Sequence, residues 1–410
     1  MNVTVTNVFA DDNKGGAVLT QAAIALAHRL DEQVQVSLLL VRGDEAGQSL
    51  RHTRSAYPDC TILQPPLAAV VERSGVGAFL VSLALLALGP LAKNLSQPLE
   101  YLASADVVIS KGGHVFVERH GLRGLLSLWM TAFPLLYGAR CGARTIAMGA
   151  TVGPFVSGGS RRLNRFLLRR LDLVLPREDD SVRHALALGM DGAKVWMVPD
   201  GIFGFQHSTD NALARRIVEQ YGLSPGRFAV LTTGYPAGDE RQFVDRVALS
   251  IRRLVGEGLI DQVVIPLHLL RPGHASSDLG LSQALSSALR SVPNQVLDAD
   301  HSPNELLALY SQAAFVAGRR LHSTLFALLV GTPAIPIVHP LEPAKARGLF
   351  KDLGLEDWVV DTADDTGLAD VAVRLVENRD EESQRAQAVV YNMRAEWSRS
   401  IERIRVALSR

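Results

Sequence analysis

Short aliphatic and β-branched runs alternate with helical patterns along nearly all of the 410-residue chain, and this alternation restricts the fold more than any other feature. The apolar runs are almost continuous, which is typical of strands that are buried on both faces of a parallel sheet. Helices that link parallel strands cover those two faces. The sequence therefore predicts an α/β protein with doubly wound parallel sheets.

The N-terminal half contains a first series of strands and helices. Strands are predicted at residues 3–9, 34–41, 61–64, 106–110, 144–148, 171–175 and 194–198. Helices are predicted at residues 16–30, 75–91, 122–137, 161–171 and 179–188. The helices fill the gaps between the strands, as consecutive parallel strands require.

A second series follows a loosening of the pattern at residues 199–225, which marks a domain boundary. Its strands are predicted at residues 228–232, 263–267, 295–297, 314–317, 334–337 and 358–360. We predict two Rossmann-like domains over residues 1–205 and 206–380, and a terminal helix over residues 381–410 that packs back on the first domain. Ligands of such domains bind at the carboxyl ends of the strands, so we expect the active site in a cleft between the domains.

The composition excludes several classes of protein. Lysine plus arginine equals aspartate plus glutamate, at 42 each, so no basic excess favours a nucleic-acid partner. Two cysteines without CxxC spacing, Cys60 and Cys141, argue against a disulfide framework and a structural zinc site. The first residues lack the basic and apolar regions of a signal peptide, so we expect a cytoplasmic protein.

One stretch, residues 76–92, is apolar enough to suggest a membrane. It is short for a membrane span and is interrupted by Gly89 and Pro90. A buried helix is the favoured interpretation, and a segment on the membrane surface is the alternative.

The segment Gly318-Arg319-Arg320-Leu321-His322-Ser323 follows a predicted strand and begins a helix. Its position combines the free N–H groups of a helix N-terminus with a planar guanidinium, which suits a carboxylate or a phosphate. His322 titrates near neutral pH and is a candidate for proton transfer. The alternative is that the arginines are solvated surface charges and that His322 caps the helix.

Similar turns occur at the ends of other strands. Arg177 follows the strand at residues 171–175, and the acidic residues after it suit a first helical turn, so we interpret them as capping residues. Glycine-containing turns that allow close approach by a ligand supply further cleft-lining candidates, which are Asn13, Lys14, Gly15, Gly16, Gly112, Gly113 and His114. Each of these turns is equally compatible with a tight turn of no functional role, but all of them lie at one edge of their sheets.

His268 and His274 flank the loop after the strand at residues 263–267. Histidines at this spacing can bind a metal ion, but no third ligand has a suitable spacing, so we expect no metal. His268 is retained as a cleft-lining candidate.

The motifs in this order resemble those of the polysaccharide pyruvyl transferases. The similarity covers the early NKGGA, the GG turn after residues 106–108, GATVGPF, PRE-x-x-S, VPDGIF and, most specifically, GRRLHS followed by FALLVGTPAIPI. The resemblance implies a GT-B-like fold, phosphoenolpyruvate as co-substrate without other cofactors, and pyruvate transfer to a sugar as a ketal with release of phosphate. It places the acceptor on the N-terminal domain and the donor on the C-terminal domain.

The resemblance also implies roles for individual residues. Arg177, Arg320 and the backbone at Leu321 match donor-binding positions, and His322 matches the general acid/base. Lys345 is assigned to the donor as well, although it is displaced from the position of the family's lysine. Two further departures are His114 in place of a third glycine and His339 near the family's tyrosine position.

Two other functions stay open at this point. One is a GT-B sugar-nucleotide glycosyltransferase or epimerase, although no acidic residue suited to grip a ribose is evident. The other is a non-catalytic glycan-binding protein that retains the fold. The expected partners are phosphoenolpyruvate and a sugar or lipid-linked glycan, with peripheral association at the inner face of the membrane as a minor alternative and no nucleic acid.

Overall fold

The computed structural model describes residues 1–43, 49–207, 210–234, 240–270, 277–339, 345–362 and 367–409. The chain divides into two compact units. The first unit comprises Met1–Asp11, Gly16–Phe205 and Arg394–Arg410, and the second comprises Asp12–Gly15 and Gln206–Met393.

The first unit is built on a seven-stranded sheet in which every recorded strand pair is parallel. The strands run in the order β3-β2-β1-β4-β6-β5, and β7 also pairs with β6. Their bounds are β1 Asn2–Val8, β2 Gln35–Leu40, β3 Thr61–Leu63, β4 Val107–Ser110, β5 Gly113–Phe116, β6 Arg144–Val152 and β7 Leu173–Pro176.

Helices connect these strands, and two apolar clusters form around the sheet. One cluster includes Trp129, Phe133 and Tyr137, and the other includes Ile24 and Trp397. The helices in this part of the chain are α1 Lys14–Leu30, α2 Arg51–Ala56, α3 Ala68–Arg73, α4 Gly75–Leu88, α5 Gln97–Ser104, α6 Gly121–Cys141, α7 Gly158–Leu168 and α8 Asp179–Ala187, with 3₁₀ segments at Gly89–Leu95, Gly192–Lys194 and Gly201–Gly204.

The second unit contains a six-stranded parallel sheet in the order β10-β9-β8-β11-β12-β13. Counted within the unit, this order is 3-2-1-4-5-6, the order of a Rossmann domain. The strands are β8 Phe228–Thr232, β9 Gln262–Pro266, β10 Asn294–Leu297, β11 Phe315–Gly318, β12 Ala334–Val338 and β13 Val360–Asp361.

The helices of the second unit follow the same alternation. They are α9 Asn211–Gln220, α10 Glu240–Gly256, α11 Leu279–Ala288, α12 Pro303–Ser311, α13 Leu321–Leu329, α14 Lys345–Asp352 and α15 Gly367–Glu377, with a 3₁₀ segment at Glu356–Trp358. The last helix, α16 Arg379–Leu408, begins in the second unit and ends in the first.

Several predicted segments differ from the structure. The predicted strand at residues 194–198 is wrong, because only Val195 makes a bridge, to Val174. The short strand β5 was not predicted. Residues 12–15 were predicted to belong to the first unit but group with the second. Residues 381–393 were predicted to belong to a separate terminal helix and also group with the second unit. Hydrogen bonds from Lys14 N to His268 O and from Leu270 N to Asp12 O explain the first difference.

The prediction that the helix at residues 76–92 is buried is also wrong. The helix exists as α4 with the following 3₁₀ segment, but only 28% of its most apolar window is buried. Leu80, Leu91 and Leu95 are among its exposed side chains. Segment Gly75–Leu95 is long and apolar enough to cross a membrane by length and composition alone.

Candidate functional site

The turn from β11 to α13 positions the GRRLHS residues in the second unit. Gly318 ends β11, and a Cβ there would overlap the Oγ1 and carbonyl oxygen of Thr232, so only glycine fits. Arg320 occupies the N-cap position of α13, and His322 is the second residue of this helix. The predicted strand-to-helix turn is therefore present, and it places Arg320, Leu321 and His322 at the N-terminus of α13.

A carboxylate that was not predicted holds the Arg320 guanidinium. Asp278 Oδ1 accepts a hydrogen bond from Arg320 Nε at 3.1 Å and a second one from Nη2. Asp278 Oδ2 accepts from the backbone N–H groups of His268 at 3.1 Å and Leu269 at 3.0 Å. Because Asp278 is almost fully buried, it fixes both the guanidinium plane and the backbone at His268 and Leu269.

Gly15 of the NKGGA segment contacts His322 of GRRLHS, and both residues belong to the second unit. Gly15 lies against the His322 ring, and a Cβ at Gly15 would overlap the ring at Nδ1, Cγ and Cβ. Asn13 forms an antiparallel bridge with Leu269, and Lys14 N donates to His268 O at 2.9 Å. The chain after β1 is thereby held next to the catalytic candidate, and a side chain at position 15 would displace the imidazole.

Lys14 was predicted to line a cleft, but its side chain is fully buried. Its ammonium group forms an ion pair with Asp300, which lies just before α12. A buried ammonium group needs such a partner, because desolvation without compensation is costly. In this conformation Lys14 is therefore a buried, paired cation.

His268 was also predicted to line a cleft, and the structure buries it instead. Its Nε2 is hydrogen-bonded to Tyr310 Oη at 2.5 Å, and Tyr310 Oη to Ser323 Oγ at 3.1 Å. This buried network connects the end of β9, helix α12 and the first turn of α13. We interpret His268 as a residue that positions the turn bearing His322.

Burial and positive charge determine the titration of this network. Burial lowers the pKa of His268 well below its usual value, and the nearby positive charges of Arg320, His322 and Lys14 lower it further. Burial also raises the pKa of Tyr310. Both groups are therefore neutral at neutral pH.

The second-unit residues gather where ligands of Rossmann domains bind. β8 and β11 are neighbours in the sheet although they are far apart in sequence, so the strand order changes direction between them. Gly234, with φ of 73°, follows β8, and a Cβ there would lie 3.1 Å from Arg319 Cβ. The backbone after β8 therefore approaches the GRRLHS turn closely.

Arg177 lies in the first unit, directly after β7 as predicted. Its Nη1 donates to Asp200 Oδ2 at 2.5 Å and its Nη2 to Thr151 Oγ1 at 3.3 Å. Asp200 also accepts from the N–H of Ile202 at 3.0 Å. Arg177 is thus a buried arginine in a buried ion pair, and its role in donor binding stays a prediction.

The acidic residues after Arg177 have different roles. Glu178 occupies the N-cap position of α8 but makes no side-chain cap bond. Instead it accepts from Ser181 Oγ at 2.8 Å, and that oxygen accepts from Val152 N at 2.9 Å. Asp179 and Asp180 lie in the first helical turn, as expected for a helix N-terminus, and both pair with Arg183. The PRE-x-x-S motif therefore ties α8 to β6.

The glycine turn after β4 is also in the first unit. A Cβ at Gly112 would lie 2.9 Å from the carbonyl oxygen of Gly149, and Gly113 has φ of 127°, so both positions require glycine. His114 is exposed within β5. Lys111, which precedes these residues, donates to Gly16 O at 2.8 Å, and burial lowers its pKa to about 8. The turn thereby contacts the start of α1.

The predicted site residues fall into two groups. The second unit holds Asn13, Lys14, Gly15, His268, Arg320, Leu321 and His322. The first unit holds Gly16, Gly112, Gly113, His114 and Arg177. Lys345 begins α14, but its side chain is outside the described part of the chain, as is His274. The expectation of a site between the domains stays a prediction.

Sequence reasoning missed three residues that organise the site, Asp278, Asp300 and Tyr310. Asp278 carries a weak signal, since an aspartate before an apolar helical run is typical of an N-cap. Its partner Arg320 is 42 positions away, and no local pattern indicates that pairing.

Solved structures with the same architecture cover almost the whole chain. UDP-GlcNAc 2-epimerase from Neisseria meningitidis, bound to UDP-GlcNAc, is 13% identical, covers 98% of this chain and 99% of its own, and has a TM-score of 0.62. HepE from Anabaena, in complex with UDP and glucose, is 14% identical over 98% and 99% of the two chains, with a TM-score of 0.61. A glycosyltransferase from Rickettsia africae is 10% identical over 100% and 98%, with a TM-score of 0.60. At these identities the similarity establishes the fold, and the predicted GT-B-like class with two Rossmann-like domains is confirmed.

The sequence comparisons give the family. No curated protein matches the chain. The family model for polysaccharide pyruvyl transferase matches residues 13–340, which include the NKGGA, PRE-x-x-S and GRRLHS segments. The resemblance predicted from these motifs is confirmed, and the chain belongs to the polysaccharide pyruvyl transferase family.

Proposed function

We propose that this protein transfers the pyruvyl group of phosphoenolpyruvate to a sugar of a bacterial polysaccharide or of its lipid-linked precursor. The product is a ketal that joins pyruvate to two hydroxyl groups of the sugar, and inorganic phosphate is released. The single observation that carries this proposal is the pair of Arg320 and His322, which are separated by Leu321 alone at the N-terminus of α13.

The donor fits the charges of this turn. Phosphoenolpyruvate carries a carboxylate and a phosphate, and the start of α13 offers a guanidinium together with the N–H groups of a helix N-terminus. Asp278 uses Nε and Nη2 of Arg320, which sets the orientation of the guanidinium plane. Arg177 is proposed as a further donor-binding residue because it matches a motif position of the family, and Lys345 because it lies a few residues from the position of the family's lysine.

The reaction requires one proton at carbon and one at phosphate. We assign His322 as the acid that protonates the methylene carbon of the donor, so that the adjacent carbon becomes electrophilic and one sugar hydroxyl adds to it. The C–O bond to phosphate then breaks, and the second hydroxyl adds to the same carbon. The protons of the two hydroxyls balance the new methyl group and the released phosphate.

Gly15 and the buried network support this role of His322. The imidazole packs against Gly15 on one side, and the hydroxyl of the next residue, Ser323, is bonded to Tyr310. A group that transfers a proton to carbon must be held in a narrow range of orientations, and these contacts restrict the ring and its helix.

The proposal is tested by incubating the purified protein with phosphoenolpyruvate and a panel of polysaccharide repeat units and lipid-linked glycans. We expect phosphate release that depends on one acceptor, together with a mass gain of that acceptor equal to pyruvate minus water. Release of UDP from a UDP-sugar, without turnover of phosphoenolpyruvate on any acceptor, would contradict the proposal and support a glycosyltransferase.

A further inference from the structure

An apolar surface is exposed on α4 and the 3₁₀ segment after it. The part of the chain from Ser74 to Leu99 contains one charged residue, Lys93. Its large exposed side chains, which we call the α4 surface, are Val76, Leu80, Val81, Leu83, Leu88, Leu91 and Leu95. A soluble protein rarely exposes so many neighbouring aliphatic side chains without a partner.

The opposite side of the same helix is fixed to the first unit. Ala78, Ser82 and Leu85 are buried, and Ser82 Oγ accepts a hydrogen bond from Trp129 Nε1 at 2.7 Å. One side of α4 is therefore attached to α6 while the other side is exposed. A helix attached along its length in this way suits a position in the plane of a membrane interface better than a span.

The α4 surface continues to α7 through aromatic side chains. Phe79 of α4 packs edge-on against Trp129, with ring centroids 5.1 Å apart. Phe166 of α7 stacks on Trp129 with ring centroids 5.9 Å apart and is partly exposed. Leu122 at the start of α6 and Val156 just before α7 are exposed as well, at 65% and 88%.

The chain segment that forms α6 and α7 is rich in arginine. Between Glu118 and Asp172 the sequence contains nine arginines and no acidic residue. Five of these arginines are exposed on or just after α7, namely Arg161, Arg162, Arg165, Arg169 and Arg170. Among the residues that the structure describes, none of these five has an acidic side chain within ion-pair distance. The Arg170 guanidinium lies 3.5 Å from the centre of the Phe166 ring.

We propose that the α4 surface and the α7 arginines dock the first unit onto an anionic phospholipid bilayer. The leucines insert into the boundary between head groups and acyl chains, and the arginines bind lipid phosphates. Charge complementarity selects this partner. A second copy would bring two arginine-rich surfaces together, which repel each other. The inference concerns binding alone and does not depend on the proposed function.

The test uses the full-length protein and vesicles of phosphatidylcholine with or without phosphatidylglycerol, in a sedimentation assay at low and at high salt. One variant combines Leu80→Gln, Leu88→Gln and Leu91→Gln, and a second combines Arg161→Gln with Arg162→Gln. The control combines Leu249→Gln, Tyr391→Gln and Val406→Gln, which change exposed apolar side chains elsewhere. Circular dichroism melting confirms that each variant is folded.

We expect the wild-type protein and the control to bind the phosphatidylglycerol vesicles and to dissociate at high salt. The leucine variant should bind roughly tenfold or more weakly, because it loses the inserted side chains. The arginine variant should bind roughly tenfold more weakly than the wild type at low salt. It should not differ from the wild type at high salt, because salt screens the attraction between arginines and anionic lipids. Wild-type protein that stays in the supernatant at low salt would overturn the proposal, as would a leucine variant that binds like the wild type. A wild-type dimer that the leucine variant converts to a monomer, without vesicle binding, would overturn it in favour of self-association.

Discussion

Arg320 is held by Asp278 and lies two positions from His322, and we propose that these two side chains bind and protonate the anionic donor. Nε and Nη2 of the guanidinium donate to Asp278 Oδ1. A guanidinium has five N–H donors in a fixed plane, and an ammonium group cannot reproduce this geometry. The orientation of the Arg320 guanidinium should therefore matter for anion binding as much as its charge does.

Arg320→Lys should weaken donor binding more than catalysis. The substitution keeps the charge but removes the planar fork, so we expect KM for phosphoenolpyruvate to rise by roughly tenfold to a hundredfold. Steady-state phosphate release measures this change. Arg319→Lys is the matched control, because the Arg319 guanidinium lies 5.2 Å from the Phe243 ring. Equal effects of the two substitutions would contradict the assignment of Arg320.

Gly15→Ala should lower kcat without unfolding the protein. An added Cβ would overlap the His322 ring, so the imidazole must rotate away from its present position. We expect a loss of roughly a hundredfold in kcat, typical of a misplaced general acid. Gly256→Ala is the control, because a Cβ at Gly256 meets no atom within 4 Å. Wild-type kcat in Gly15→Ala would show that the ring position is not critical.

The turn from β11 to α13 is the element that could be predicted best from sequence, because an apolar run leads directly into a helical pattern. The predicted strand at residues 194–198 failed because local β propensity did not secure a partner beyond the Val174–Val195 bridge. The exposure of α4 could not be predicted either. Apolar composition makes a helix possible, but only its packing on α6 shows which side is buried.

The ion pairs that organise the site could not be predicted from the sequence either. Lys14 and Asp300 are 286 positions apart, and Arg320 and Asp278 are 42 apart. A single sequence identifies residues with suitable chemistry at the ends of strands but not their buried partners. For this reason Lys14 and His268 were predicted to line a cleft, whereas the structure buries both.

The buried network at His268 predicts that stability falls in mild acid. The pKa of His268 is lowered in the folded protein, so the unfolded chain binds the proton more readily below about pH 6.5. The stability that neutral His268 contributes is therefore complete above this pH and is lost as the pH falls from there through the lower pKa of the folded protein. Urea unfolding at several pH values gives the free energy of unfolding as a function of pH. Below about pH 6.5, this free energy should change more steeply with pH in the wild type than in His268→Gln, by up to about 1.4 kcal/mol per pH unit. Identical slopes would contradict the buried, neutral assignment.

Helix α16 is the feature that concerns the molecule as a whole, because it starts in the second unit and ends in the first. Its last part supplies Trp397, Ile401 and Ile404 to a core cluster of the first unit. A Cβ at Gly204 would overlap the Trp397 indole, which shows how closely the helix approaches the chain before the second unit. The end of the chain is thus part of the first unit's core.

Trp397→Ala should therefore destabilise the first unit although position 397 is near the C-terminus. We expect the free energy of unfolding to fall by about 3–5 kcal/mol, as for other buried tryptophans. Tyr391→Ala is the control. It removes an exposed side chain of the same helix and should change the free energy of unfolding little. Equal melting temperatures of the Trp397→Ala protein and the wild type would show that α16 does not stabilise this core.

Family membership, the Rossmann-like units and the Arg320–His322 turn together lead to one central claim, that a pyruvyl group is transferred as a ketal after protonation of the donor's methylene carbon. The most direct test is the reaction in D₂O, analysed by mass spectrometry and NMR of the glycan product. We predict a new methyl group that carries one deuterium from solvent, and no product with His322→Ala protein that is folded by circular dichroism. A product that retains the vinyl group, or wild-type turnover by folded His322→Ala protein, would contradict the account.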